Sequence, residues 1–184
     1  MTRIAYRPLD QMTARARELT EERGNLNVYR APANAENVFT GWMVAGRDAL
    51  TSRVLPVRLR ELIILRVAYL MDSPYEVAQH GPLAGTVGVT EQAIAALSRR
   101  SDWETDDFDS VERDVLRLTT ELLTTRGVAA ELVEQVYRAL GAEATVEVLM
   151  VINRWSGLAL MLNALDVDID EVARVVIPPT DATT

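Results

Sequence analysis

Apolar positions along this chain recur at three- and four-residue intervals, and the runs are separated by Gly, Pro and capping residues rather than by strand-like alternation. Asp10 to Arg23 reads as a first helix stopped by Gly24, with a loop containing Pro32 from Asn25 to Asn34. A second helix runs from about Ala35 to Leu50, with Val38, Phe39, Trp42 and Met43 on one side. Pro56 opens a third, on which Leu59, Leu62, Ile63, Arg66, Val67 and Leu70 recur at helical spacing. Asp72-Ser73-Pro74 breaks it and starts another, with Ser73 as N-cap, Pro74 in the first turn and Glu76 placed to complete a capping box. Pro82, just after His80, removes a helix hydrogen bond and predicts a kink there, and Gly85 and Gly88 end the segment. Thr90 caps a short helix to about Arg99, Ser101 to Phe108 is an acidic loop, and Asp109 with Glu112 opens a helix reaching Arg126. Ala129 to Leu140 and Ala142 to Leu165 follow, divided by Gly141, and Pro178 to Thr184 is expected to fray. The pattern predicts an all-α protein of about seven helices.

A chain of 184 residues fits one domain, or one domain with an arm. The expected division is a helical arm over 1–34, a helical domain over 35–165 and a tail over 166–184. The apolar fraction of 48% is enough for a real core. The net charge of −8 supplies no clustered cation for displacing counterions, so neither nucleic acid nor an anionic membrane surface is an expected partner. The most apolar stretch, Val146 to Leu165, is interrupted by Glu147, Asn153, Arg154 and Asn163 and reads as a buried core helix rather than a membrane span. The polar start of the chain does not resemble an export signal, so the cytoplasm is the expected compartment.

Three absences restrict the chemistry. Without Cys there is no thiolate nucleophile and no thiolate metal site; without Lys no side chain forms a Schiff base; with a single His there is no His-cluster metal site. No metal and no cofactor is expected. The acidic run Asp102 to Asp109 lacks the Gly turn and spacing of a calcium loop.

What chemistry remains is concentrated between Glu61 and His80. Glu61 stands mid-helix among Leu59, Leu62 and Ile63, where burial would push a carboxyl pKa upward and suit it to proton transfer. Glu76 and His80 are four residues apart on the next helix and share a face, so the carboxylate can orient the imidazole. The inner faces of the two helices are expected to bring Glu61 and His80 within hydrogen-bond reach beside an apolar cavity. Each residue also has a plain structural reading: Glu61 pairing with Arg58 or Arg66, His80 as a structural histidine, Ser73 as a cap only, Tyr75 as packing.

This segment resembles the carboxymuconolactone decarboxylase-like family, which includes the alkylhydroperoxidase D proteins. The resemblance lies in R-E-L-x-I-L-R-V-A from Arg60, in Y-E-x-x-x-H from Tyr75 to His80, in Ala84 and Gly88-Val89-Thr90, and in a Glu-to-His spacing of 19. It extends over roughly Ala35 to Leu165. It implies an antiparallel bundle of the alkylhydroperoxidase D-like type and a homo-oligomer, a trimer or hexamer, with the pocket near helix interfaces. The positions of the family's two cysteines are Ser73 and Glu76 here, which removes thiol peroxidase chemistry.

The resemblance and the residues together give an expected cofactor-independent acid–base enzyme of decarboxylase or lyase type, acting on a small carbonyl or lactone compound. His80, Glu61 and Glu76 are the expected catalytic groups. Tyr75, Trp42, Trp155, Arg154 and Asn153 are the expected substrate-binding residues, with Arg154 suited to a substrate carboxylate. The two tryptophans also read as core, and Asn153 and Arg154 as contacts to a neighbouring subunit. Two alternatives stand beside this reading: a non-catalytic ligand-binding or oligomeric module that lost the family's chemistry, and an isomerase or cyclase using the same two groups.

Overall fold

The computed structural model describes residues 2–171, and within them every regular element is a helix. The α-helices are α1 (Ala14–Glu21), α2 (Asn27–Arg30), α3 (Glu36–Thr51), α4 (Val57–Leu70), α5 (Pro74–Thr86), α6 (Glu91–Leu97), α7 (Ser110–Thr125) and α8 (Ala130–Leu165). The expected frayed end, Pro178 to Thr184, lies outside the described residues. Between Asn25 and Asn34, where a loop is expected, the chain forms α2 and a turn of 3-10 helix over Pro32–Asn34.

The chain divides into two compact units, one drawn from Met1–Ser52 with Met161–Thr184 and the other Arg53–Leu160, whereas the sequence suggests boundaries after residues 34 and 165. In the first unit α3 buries Phe39, Met43, Gly46 and Leu50, a stripe at helical spacing. Val38, expected on that side, is exposed, because it falls one position off the stripe. Arg23 is buried and donates from Nη2 to the Met43 carbonyl at 3.3 Å. The start of the chain is tied down: the Arg3 amide donates to the Leu165 carbonyl at 2.8 Å, and Tyr6 Oη donates to Asp168 at 2.9 Å.

The second unit is built around α4, which packs against α5, α6 and α7. Every residue from Leu59 to Ala68 is buried, so this helix is enclosed on all sides and its polar residues are carried into the interior. A core of Leu62, Leu65, Ala84, Val89, Ala93, Ala96, Leu97, Trp103, Phe108 and Leu116 joins these helices. Arg66 is held inside by the carbonyls of Leu97 and Arg99, both at 2.7 Å, and by Thr120 Oγ1 at 3.0 Å. It thereby satisfies carbonyls at the C-terminal end of α6 that helix geometry leaves open. Arg58 pairs with Glu112 at 2.7 Å, while Glu112 and Asp109 also complete the capping box at the start of α7.

The turn between α4 and α5 forms where Asp72-Ser73-Pro74 predicts it. Asp72 adopts a left-handed conformation with φ of 50°, and the Ser73 amide returns to the Ala68 carbonyl at 2.9 Å. Pro74 then starts α5, which remains helical through Pro82 to Thr86. The expected capping box is not formed. Ser73 makes no side-chain cap bond, and the Glu76 carboxylate, which would complete the other half of the box, is turned inward to His80.

α8 is interrupted at Gly141, whose φ of 80° and ψ of 172° lie in a region open essentially to glycine alone. It is long and apolar enough to cross a membrane by length and composition, and 39% of its most apolar window is buried. The expectation of a buried core helix therefore holds for one face only. Ala144, Val148, Val151, Ile152, Trp155, Leu158 and Ala159 are buried, whereas Val146, Leu149, Met150 and Leu160 are exposed.

Candidate active site

The site begins with the enclosure of α4. Because that helix has no solvent-facing side at Glu61, the carboxyl group is fully buried and must find partners within the protein. The chain reversal at Asp72 brings α5 alongside, and His80 Nδ1 lies 2.7 Å from Glu61 Oε2. Glu76, one turn before His80, places Oε2 3.4 Å from His80 Nε2. From α8, the Trp155 indole Nε1 donates to that same Nε2 at 3.3 Å, with the two rings edge to face at 5.9 Å. Arg60 Nε stands 3.8 Å from Glu61 Oε1. Glu76, His80 and Trp155 are each 3% exposed.

These contacts define the protonation of the imidazole. An indole N–H only donates, so Nε2 must accept and the proton of neutral His80 sits on Nδ1, from which it donates to Glu61. An ionised Glu76 would then face the Nε2 lone pair. A single additional proton on Glu76 removes that repulsion and keeps the Trp155 bond, whereas a proton on Nε2 removes it only by giving up that bond. The electrostatics agree. Burial pulls the His80 pKa down, but the Glu61 carboxylate, its hydrogen bond and Glu76 outweigh burial, and the net shift is upward. Burial pushes the Glu76 pKa up against the opposing pull of His80 and Arg154. The arrangement can store a proton and pass it along a line of three groups from α4 and α5, with Trp155 fixing the ring from α8.

A dependence of stability on pH follows. Both pKa values are raised on folding, so both groups hold protons more tightly in the native state. Their contribution is fully present below the unfolded values, 6.5 for His80 and 4.5 for Glu76, and is lost as pH rises through the higher folded values. The urea midpoint of the wild type should therefore fall as pH rises above 6.5, and His80→Gln should flatten that slope. Equal slopes in the two proteins would contradict the assignment.

The expected substrate-binding residues are distributed differently. Tyr75 is buried on α5 and Trp155 is engaged with His80. Arg154 lies with its guanidinium 5.8 Å from the Trp155 ring, within the field of Glu76. Asn153 is exposed on α8. Trp42 belongs to the other unit, half-buried on α3 and stacked on Phe39 with ring centroids 6.2 Å apart. Glu61 pairs with neither Arg58 nor Arg66, which are taken by Glu112 and by the α6 carbonyls. Sequence reasoning missed two features. Arg60 is adjacent to Glu61, a separation at which helix side chains do not normally face each other, and the Trp155 N–H contact spans 75 residues. Among the described residues no cluster of three His, Asp or Glu side chains is placed to hold a metal ion. A cleft of about 460 Å³ lies at the α4–α5 turn, lined by Ala68, Tyr69, Asp72, Ser73, Pro74, Val77 and Ala78, and not by Glu61 or His80.

Residues 37–121 match the carboxymuconolactone decarboxylase family model. The match covers 85 of the chain's 184 residues, and the chain is similar to that family over this stretch while having no cysteine. No curated protein matches the sequence. Among solved structures, a peroxidase-related protein with an alkylhydroperoxidase AhpD core from Ralstonia eutropha JMP134 superimposes with a TM-score of 0.77 at 16% identity, covering 92% of this chain and 93% of that one. A peroxidase-related protein from Silicibacter sp. TM1040 gives 0.76 at 16% identity, covering 92% of each chain. The debrominase Bmp8, in complex with 2,3,4-tribromopyrrole, gives 0.73 at 15% identity, covering 93% and 95%. The fold is thus the all-helical one of the alkylhydroperoxidase D-like proteins.

Proposed function

We propose that the chain is a small-molecule enzyme working by acid–base chemistry without a cofactor, of decarboxylase or lyase type, on a small carbonyl or lactone compound. The observation that supports this most is the buried line Glu61–His80–Glu76 with Trp155 holding the ring. In decarboxylation the bond to the carboxylate carbon breaks and its electron pair passes to an enolate on the substrate's own carbonyl. The proton that quenches the carbon comes from the Glu76–His80 pair and is replaced from water. Isomerisation and ring closure would draw on the same proton. That a debrominase of this fold takes a small halogenated pyrrole supports a small-molecule role. The test is a screen of β-keto acids and small lactones for carbon dioxide release or for deuterium uptake from D2O by NMR. Conversion by the wild type that is lost in His80→Gln supports the reading, and conversion at equal rates counts against it.

A second reading is favoured by one observation: Glu61, Glu76 and His80 are almost wholly enclosed, and the cleft at the α4–α5 turn is lined by none of them. On this reading the three groups form a structural network and the protein is a ligand-binding module. A D2O screen without exchange, together with a measurable ligand, would decide for it.

We propose also that the protein is a homo-oligomer, a trimer or hexamer as the family resemblance implies. The exposed apolar residues Val146, Leu149, Met150 and Leu160 lie along one side of α8 and support it. Light scattering at micromolar concentration should give a multiple of the chain mass, falling to one chain in a Met150→Glu, Leu160→Glu variant. A wild type of single-chain mass overturns the proposal.

A further inference from the structure

We infer that Arg60 is a positioning residue of the Glu61–His80–Glu76 line: its buried positive charge holds Glu61 as the anion, so that the exchangeable proton resides at the His80–Glu76 end. The imidazole has a buried carboxyl group at each of its nitrogens, with Glu61 Oε2 2.7 Å from Nδ1 and Glu76 Oε2 3.4 Å from Nε2. Two like groups that share one proton are told apart by the charges around them. Arg60 supplies the difference. Its side chain is 1% exposed, and its Nε stands 3.8 Å from Oε1, the Glu61 oxygen that His80 does not use. The contact is one of charge and not of hydrogen bonding. Among the described residues, Arg60 Nε and Nη1 and Glu61 Oε1 have no hydrogen-bond partner. Burial lowers the Arg60 pKa against the pull of Glu61 and of Glu147 on α8, yet a guanidinium stays charged inside a protein. The other cation that acts on the line is Arg154 of α8, in the field of Glu76. Arg154 is only half-buried, so water screens it more than it screens the enclosed Arg60. The balance leaves the negative charge on Glu61 and makes Glu76 the group that takes up and releases the proton.

The inference rests on the proposed acid–base function only where it concerns turnover, because the place of the proton can be read directly. The chain holds a single His, so nitrogen NMR of full-length protein with isotope-labelled histidine reports on His80 alone. In the wild type at neutral pH, Nδ1 should show the one-bond coupling of a nitrogen that owns its proton. An Nδ1 without that coupling would place the proton on Glu61 and overturn the inference, with no variant needed. In Arg60→Met the coupling should weaken as Glu61 becomes the stronger acceptor, and the His80 resonances should titrate at higher pH. An opposite charge at such a distance changes proton partition by about tenfold or more, and kcat at neutral pH should fall by a similar factor with KM unchanged. Glu61→Gln removes the charge on which Arg60 acts, so Arg60→Met made in that background should move the titration far less. Unchanged coupling and titration in Arg60→Met, or an equal shift in the Glu61→Gln background, overturns the inference even where His80→Gln abolishes turnover. The expected NMR changes support it even where no substrate is converted, in which case the acid–base function alone fails.

Discussion

Turnover of the substrate found in the screen should fall about 10²- to 10⁴-fold in His80→Gln, the usual contribution of a general acid–base group. That range corresponds to about 3–5 kcal/mol of barrier, at roughly 1.4 kcal/mol for each tenfold. Gln is chosen because its amide can keep both contacts of the ring. Its NH2 can donate to Glu61 Oε2 and its carbonyl can accept from Trp155 Nε1, so the packing of α4, α5 and α8 is retained. What the amide cannot do is take up a proton and release it again. The loss should appear in kcat and in kcat/KM together, since the group acts in the transition state rather than in holding the ground state. A well-folded His80→Gln protein with turnover near that of the wild type would remove His80 from the mechanism and leave Glu61, Glu76 and His80 as a structural network.

The helices were legible because their punctuation is local. Asp72-Ser73-Pro74, Thr90, Asp109 with Glu112, and Gly141 each act within one turn of the chain, and each marks an element boundary in the structure. The proximity of Glu61 and His80 was also legible, since a single reversal at Asp72 brings α5 back along α4. The capping box at Ser73 was misread for a physical reason. The S-x-x-E pattern states what Glu76 can reach, and the inward orientation of its carboxylate toward His80 is set by tertiary packing that the pattern does not contain. The same holds for α8. Its composition predicts burial all round, yet only one face meets the core, because hydropathy averaged along a helix carries no information on direction. The hydrogen bond from Trp155 links residues far apart in the chain, and no local signal announces it.

Arg66 is where the largest loss of stability is expected. Its guanidinium is fully buried with no carboxylate partner, and burial lowers its pKa to about 10 while leaving it charged at neutral pH. Three acceptors hold it: the carbonyls of Leu97 and Arg99 and the hydroxyl of Thr120, with the Trp103 ring 4.9 Å below. Arg66→Met removes a buried charge, which is favourable, but leaves two carbonyls at the end of α6 and one hydroxyl without their donor. Each unsatisfied buried group costs about 1–3 kcal/mol, and water can reach the exposed Arg99 end to recover part of this. The net expectation is a loss of about 2–4 kcal/mol in urea unfolding, a large share of the roughly 5–15 kcal/mol available to a domain. Arg66→Lys should recover little, because an ammonium on a flexible stem does not reproduce the planar fork that spans both carbonyls. Hydrogen exchange should report the loss first in α6 and in the loop after it, whose backbone Arg66 holds. Turnover per folded molecule should remain near that of the wild type, since Arg66 makes none of the contacts of His80. A change in stability below about 0.5 kcal/mol, the size expected of a neutral surface substitution, would show that water replaces the guanidinium at no cost.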